Sequence, residues 1–237
     1  MKKIISSLLI LFFILNFVQV ARADSNNSDT PVLSVTGQGE AKAKPDIAFI
    51  SIAVDRKGKT ASEAASVSAS ATQKLLDALN KAGIDQKDIE TSNVNINPIY
   101  KANQPSFDGE SKVIGYDATN QIQVTVRNVN DVGHIIDVVV LTGDYTIGGL
   151  TFSLEKDENS QAEALKSAVA DARKKADIVA TAAGKMVAGI KNITIGGEGG
   201  SIFKSVSATA VEGISTPVLP GDIMVSASVS IEYLLNK

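Results

Sequence analysis

His134 is the only histidine in the 237-residue sequence, and it stands beside Gly133 and Ile135 in a short apolar stretch. An acyl-transfer triad needs a nucleophile and an orienting carboxylate around such a ring, and a histidine-based metal site ordinarily uses more than one. Neither set of companions is legible, so His134 reads as a helix-surface side chain. The second candidate, Gly37-Gln38-Gly39, follows a strand pattern as a nucleotide-binding turn would. Lys42, however, occupies the place of the third glycine, and Pro45 leads into another strand rather than a helix, so the phosphate-loop reading fails. A turn requiring positive φ is the expected role of these glycines. Asp157 and Glu158 fall at the start of a long helix, where the helix dipole explains them without acid–base chemistry. The residues therefore predict no catalytic group, no metal site, no cofactor and no enzymatic activity.

The first 23 residues are an address. Lys2 and Lys3 are followed by a largely apolar run from Ile4 to Val20, and Ala21-Arg22-Ala23 is a small-x-small cleavage pattern. Cleavage between Ala23 and Asp24 is expected. The alternative is an uncleaved anchor, since about 17 apolar residues reach the lower limit for spanning a bilayer. The expected organisation is a signal peptide at 1–23, a polar N-terminus at 24–30 and one domain at 31–237.

There is no cysteine. An exported chain without disulfides must be held by its hydrophobic core, and a lipid-anchoring cysteine after the signal is excluded. The expected destination is the periplasm, with outer-membrane association as a secondary option. Removing residues 1–23 takes Lys2, Lys3 and Arg22 but no acid, leaving 20 basic against 26 acidic side chains, a net charge of −6. An acidic chain without a basic cluster does not suit nucleic acid, whose binding rests on neutralising phosphates. Tryptophan is absent, so no aromatic platform for bases or sugars is suggested.

Hydrophobic periodicity supplies the elements. Strands are expected from Pro31, over 46–55 with both faces covered, over 89–100 and 113–127 as a hairpin, and over 144–155 with a bulge at Gly148-Gly149. Two further strands are expected at 189–197 and 222–235. A helix over 60–82 carries the stripe Ala61, Ala65, Ser68, Thr72, Leu75, Leu79, Ala82 and stops at Gly83. A second, over 159–183, carries Ala162, Leu165, Val169, Ala172, Ala176, Val179, Ala183 and stops at Gly184. A short helix capped near Asn130 ends at Gly143. The fold class is α+β: a largely antiparallel sheet covered by two long Ala-rich helices and one short one, with a weak strand–helix–strand duplication.

Two connectors stand out. One spans 101–112; the other, 198–221, is too apolar for a plain linker, and long structureless connections inside compact domains are usually functional or disordered. Pro105, Phe107, Ile202, Phe203, Val211, Ile214, Val218 and Leu219 are the candidate interaction residues. Packing of the second connector over its own core is the alternative.

Four blocks carry a resemblance: Leu33-Ser34-Val35-Thr36-Gly37-Gln38-Gly39-Glu40 followed by Pro45-Asp46; Ile89 through Tyr100; Gly115-Tyr116-Asp117-Ala118-Thr119-Asn120; and Ala170-Asp171-Ala172-Arg173-Lys174-Lys175-Ala176. Together they resemble the SIMPL-domain family, which includes bacterial periplasmic immunogenic proteins. The resemblance implies an antigenic envelope protein without assigned activity, forming large ring- or barrel-like homo-oligomers, with a link to oxidative stress. It supplies no catalytic residues; Gly37 and Gly39 are expected to shape a turn and Pro98 to close a strand. The expected partner is a second copy of the chain, with other envelope proteins as further partners. A channel-like role arises if the ring closes, and a monomeric module for a hydrophobic ligand or an envelope protein is the rival expectation.

Overall fold

The computed structural model describes residues 30–101, 112–196, 199–202, 205–206 and 216–236. In chain order the elements are β1 (Val32–Ala43), β2 (Ile47–Gly58), α1 (Ala61–Lys81), β3 (Ile89–Tyr100), β4 (Val113–Val126), α2 (Val132–Thr142), β5 (Thr146–Ser153), α3 (Glu158–Ala182), β6 (Val187–Ile195), β7 (Gly199–Ile202), β8 (Ser205–Val206) and β9 (Ile223–Leu235). The α+β class is as expected. The strands, however, form two antiparallel sheets instead of one: β1-β9-β6 with β7 also against β9, and β3-β4-β2-β5-β8. The division undoes the apparent duplication. β2, α1 and β3 serve one sheet, whereas β5 belongs to the larger sheet and α3 and β6 to the smaller.

In the larger sheet, β2 is the middle strand. Ala48, Ile50, Ile52 and Val54 on its inner face are fully buried and pack with Leu75 and Leu79 of α1 and Ile135, Ile136 and Val139 of α2. On its other face Ile47 is buried but Phe49, Ser51 and Ala53 are only half-buried, because both helices of this sheet lie on the opposite side; the expectation of cover on both faces holds at Ile47 and is corrected for the rest. Thr60 caps α1 by accepting from Glu63 N–H at 3.1 Å, and Glu63 Oε2 accepts in return from Lys59 N–H at 2.8 Å. Gly83, at φ 92°, takes the left-handed conformation that ends α1. The buried stripe of α1 is Ala64, Ser68, Ala71, Leu75 and Leu79, so its N-terminal half is rotated from the expected line. The register between β2 and β5 skips Gly148, the expected bulge.

In the smaller sheet, α3 lies along β1 and β9. It buries Ala164, Ala168, Ala172, Ala176 and Ala180, an unbroken i, i+4 row of alanines, and leaves Val169 and Val179 41% and 47% exposed. The stripe expected from the sequence holds at Ala172 and Ala176 and, partly buried against the same core, at Leu165; it is corrected at Ala162, Val169, Val179 and Ala183, which are exposed. Gly37 and Gly39 explain why. They lie in the middle of β1 without positive φ, so the expected turn is also corrected. A Cβ on Gly37 would sit 2.1 Å from the carbonyl oxygen of Ala168, and one on Gly39 2.1 Å from that of Ala164. Glycine on the strand and alanine on the helix let the two backbones approach where no larger pair fits.

Pro98 does not close a strand; it lies inside β3, opposite Tyr116 of β4. β3 is the edge of its sheet, where a residue without an N–H is tolerated. The connector after β6 is not structureless, since it contributes β7 to the smaller sheet and β8 to the larger.

Candidate functional site

His134 is exposed on α2. Asp157 stands at the N-cap position of α3, where its Oδ2 accepts from Gln161 Nε2 at 2.8 Å, and Glu158 opens the first turn. Among the described residues no group of three or more histidine, cysteine, aspartate or glutamate side chains is placed to hold a metal. None of the described helices is long and apolar enough to cross a membrane.

Of the candidate interaction residues, Val218 packs against the core of the larger sheet, while Leu219 is 86% exposed. Thr216 fixes the return of the connector: its N–H and Oγ1 both donate to the Asp137 carboxylate of α2, the hydroxyl at 2.7 Å. Ile202 ends β7. Pro105, Phe107, Phe203, Val211 and Ile214, together with Ala23 and Asp24, lie outside the described residues.

An ion cluster that periodicity could not reveal ties several elements together. Arg127, just after β4, donates Nε and Nη2 to Asp88 at 3.0 and 2.8 Å and Nη1 to Glu155. Asp46, between β1 and β2, accepts the N–H of Glu155 at 2.7 Å. The Arg127 guanidinium holds the nearly buried Asp88 carboxyl below the usual carboxylate range against the opposing effect of burial, and Asp88, then Glu155, push Arg127 upward. A cleft of about 470 Å³ opens beside it, lined by Lys44, Asp46, Asn128, Asn130 and Asp222 among others. Arg127 is committed to its carboxylates, so the cluster is a staple between connections.

The strand edges differ in a way that matters for association. No strand lies beyond β3 or β6 among the described residues. β3 is exposed along most of its length, with Val94, Ile96 and Tyr100 44–61% exposed, and Val113 and Ile114 of β4 lie beside its far end at 40% and 56%. On β6, Ile190, Ile193 and Ile195 are 50–61% exposed, because α3 covers β1 and β9 instead. The edge of β1 is different. α3 overhangs it, and Asp171 Oδ2 accepts from Gln38 N–H at 2.9 Å while Lys175 Nζ donates to the Thr36 carbonyl at 3.2 Å. Asp171 and Lys175 are themselves paired at 2.7 Å. The Lys175 ammonium, and after it the Gln38 amide, hold the Asp171 carboxyl below its ordinary range. Thus the first and last sequence blocks singled out above meet as the two sides of one contact.

The sequence that folds into this two-sheet α+β domain, with a Gly-x-Gly strand under an Ala-rich helix, is similar to those of known proteins. Residues 33–233 match SIMPL, described as a protein of unknown function (DUF541), and the chain belongs to that family. It is 38% identical over 153 residues to the 26 kDa periplasmic immunogenic protein of Brucella melitensis biotype 1, covering 64% of this chain and 61% of that relative. It is 37% identical over 153 residues to the protein of the same name from Brucella abortus, with the same coverage. The uncharacterized protein YggE of Escherichia coli K12 is 26% identical over 144 residues, 61% of this chain and 57% of YggE. The chain thus matches about three-fifths of the length of these curated relatives.

Proposed function

We propose that this chain is a non-enzymatic, antigenic protein of the periplasm that acts by associating with copies of itself, in envelope maintenance or tolerance of oxidative stress. The observation that carries association is the pair of open edges: among the described residues β3 and β6 have no strand beyond them, and both present apolar side chains to solvent. Such edges are templates for another chain unless they are blunted. The names of the two Brucella relatives support the compartment, and Ala21-Arg22-Ala23 supports export with cleavage before Asp24.

The native mass of the exported, purified chain, measured across protein concentration and salt, tests this. A discrete species of several subunits is expected, and a closed ring would add a lumen and a channel-like or scaffolding role. A monomer at every concentration overturns self-association. N-terminal sequencing of the same material should begin at Asp24, and survival of a deletion strain under peroxide tests the stress role.

A further inference from the structure

We propose that α3 closes the outer edge of β1 against strand addition, through Asp171 and Lys175, so that another chain joins instead at an uncovered edge such as β3 or β6. The choice of β3 and β6 rests on the self-association proposed above; the closure of β1 does not.

The register of β1 against β9 runs without interruption from Val32↔Leu234 to Ala43↔Ile223. In an antiparallel ladder, alternate residues point their N–H and C=O toward the partner strand, and the residues between point theirs away. Gln38 gives its N–H to Asp171 and Thr36 gives its carbonyl to Lys175, so these two belong to the outward-facing set. An incoming antiparallel strand would seek two hydrogen bonds at each of these residues. At each, one of the two partners is already taken by a charged group. Charge-assisted hydrogen bonds of this kind are stronger than the neutral amide pairs that would replace them.

The reach of these side chains depends on the glycines. Asp171 and Lys175 flank the buried alanine row of α3, and they extend past β1 because Gly37 and Gly39 let the helix seat directly on the strand. Elsewhere in natural sheets, edges are blunted by charges on the edge strand itself or by a covering helix. Here the covering helix supplies the charges.

The test compares the exported chain with the Asp171→Ala/Lys175→Ala variant by native mass spectrometry and amide hydrogen exchange. Alanine has a higher helix propensity than either residue it replaces, so α3 is retained, and far-UV circular dichroism verifies this. Asp171→Asn is the control, because its Oδ1 still accepts the Gln38 N–H. Expected is a shift of the double variant to larger or heterogeneous species, with the amides of Thr36, Gln38 and Glu40 slowing in exchange as its concentration rises; Asp171→Asn matches wild type. If the double variant folds but keeps the wild-type mass distribution, and its Gln38 amide exchanges at least tenfold faster at every concentration, closure is overturned. Should the double variant fail to fold, Lys175→Ala alone frees the Thr36 carbonyl and is read by the same two criteria. A wild-type monomer that becomes associated only in the double variant overturns self-association while supporting closure.

Discussion

At Gly37 and Gly39 a single methyl group decides whether strand and helix can touch. Gly37→Ala would bring Cβ to 2.1 Å from a helix carbonyl oxygen, and overpacking against backbone costs about 3 kcal/mol or more. Gly189→Ala meets nothing within 4 Å, so its unfolding free energy from urea denaturation should stay within about 0.5 kcal/mol of wild type. At Asp88 the variable is pH. Its carboxyl is held low by Arg127, so its contribution to stability is complete above the unfolded value near ~3.9 and is lost as pH falls through the lower folded value. Thermal melts between pH 2 and 6 should show an acid limb that is shallower in Asp88→Asn, and neutral-pH melts should show that variant less stable, since Arg127 loses its fixed partner. Neither Asp88 nor Arg127 was legible as a pair: they are far apart in sequence and carry no motif. The identity of Gly37 and Gly39 as special positions was legible, but not their role, because a glycine needed for close approach and one needed for a turn look alike until the partner is known.

Among elements, α3 shows where periodicity misleads. The stripe expected from the sequence sets Val169 and Val179 in line with Ala172 and Ala176, yet only the alanines, with Leu165 partly buried beside them, seat on the sheet, because the strand below offers glycine. Size complementarity outranks hydrophobicity at a contact this close. Ile178→Ser, at a position 60% exposed, should change stability by no more than about 0.5 kcal/mol in urea denaturation. In α1 ordinary packing applies: Leu75 is fully buried in the larger core, and Leu75→Ala should cost about 2–5 kcal/mol. The element types and the β3–β4 hairpin followed from alternation and from turn residues. The partition into two sheets did not, since nothing in the short run from Lys44 to Asp46 marks a change of sheet.

For the whole molecule, the self-association proposed above turns on which edges are open. Val94→Lys/Ile96→Lys places charge on the exposed β3 edge without touching the core, and charged edge residues oppose strand pairing. Where β3 is an assembly edge, that variant should shift the native mass toward monomer with unchanged circular dichroism; an unchanged mass would transfer the role to β6. The pairing of β1 with β9 has a further consequence, in time instead of space. The first strand of the domain finds its partner only in the last one, Val32 opposite Leu234 and Ala43 opposite Ile223. A chain delivered from its N-terminus would therefore hold β1 unpaired until Ile223–Leu235 had arrived, and pairing β1 with β9 closes a loop of nearly the whole domain. For the export proposed above, such an order would leave the smaller sheet unformed until β9 has followed β1 across the membrane.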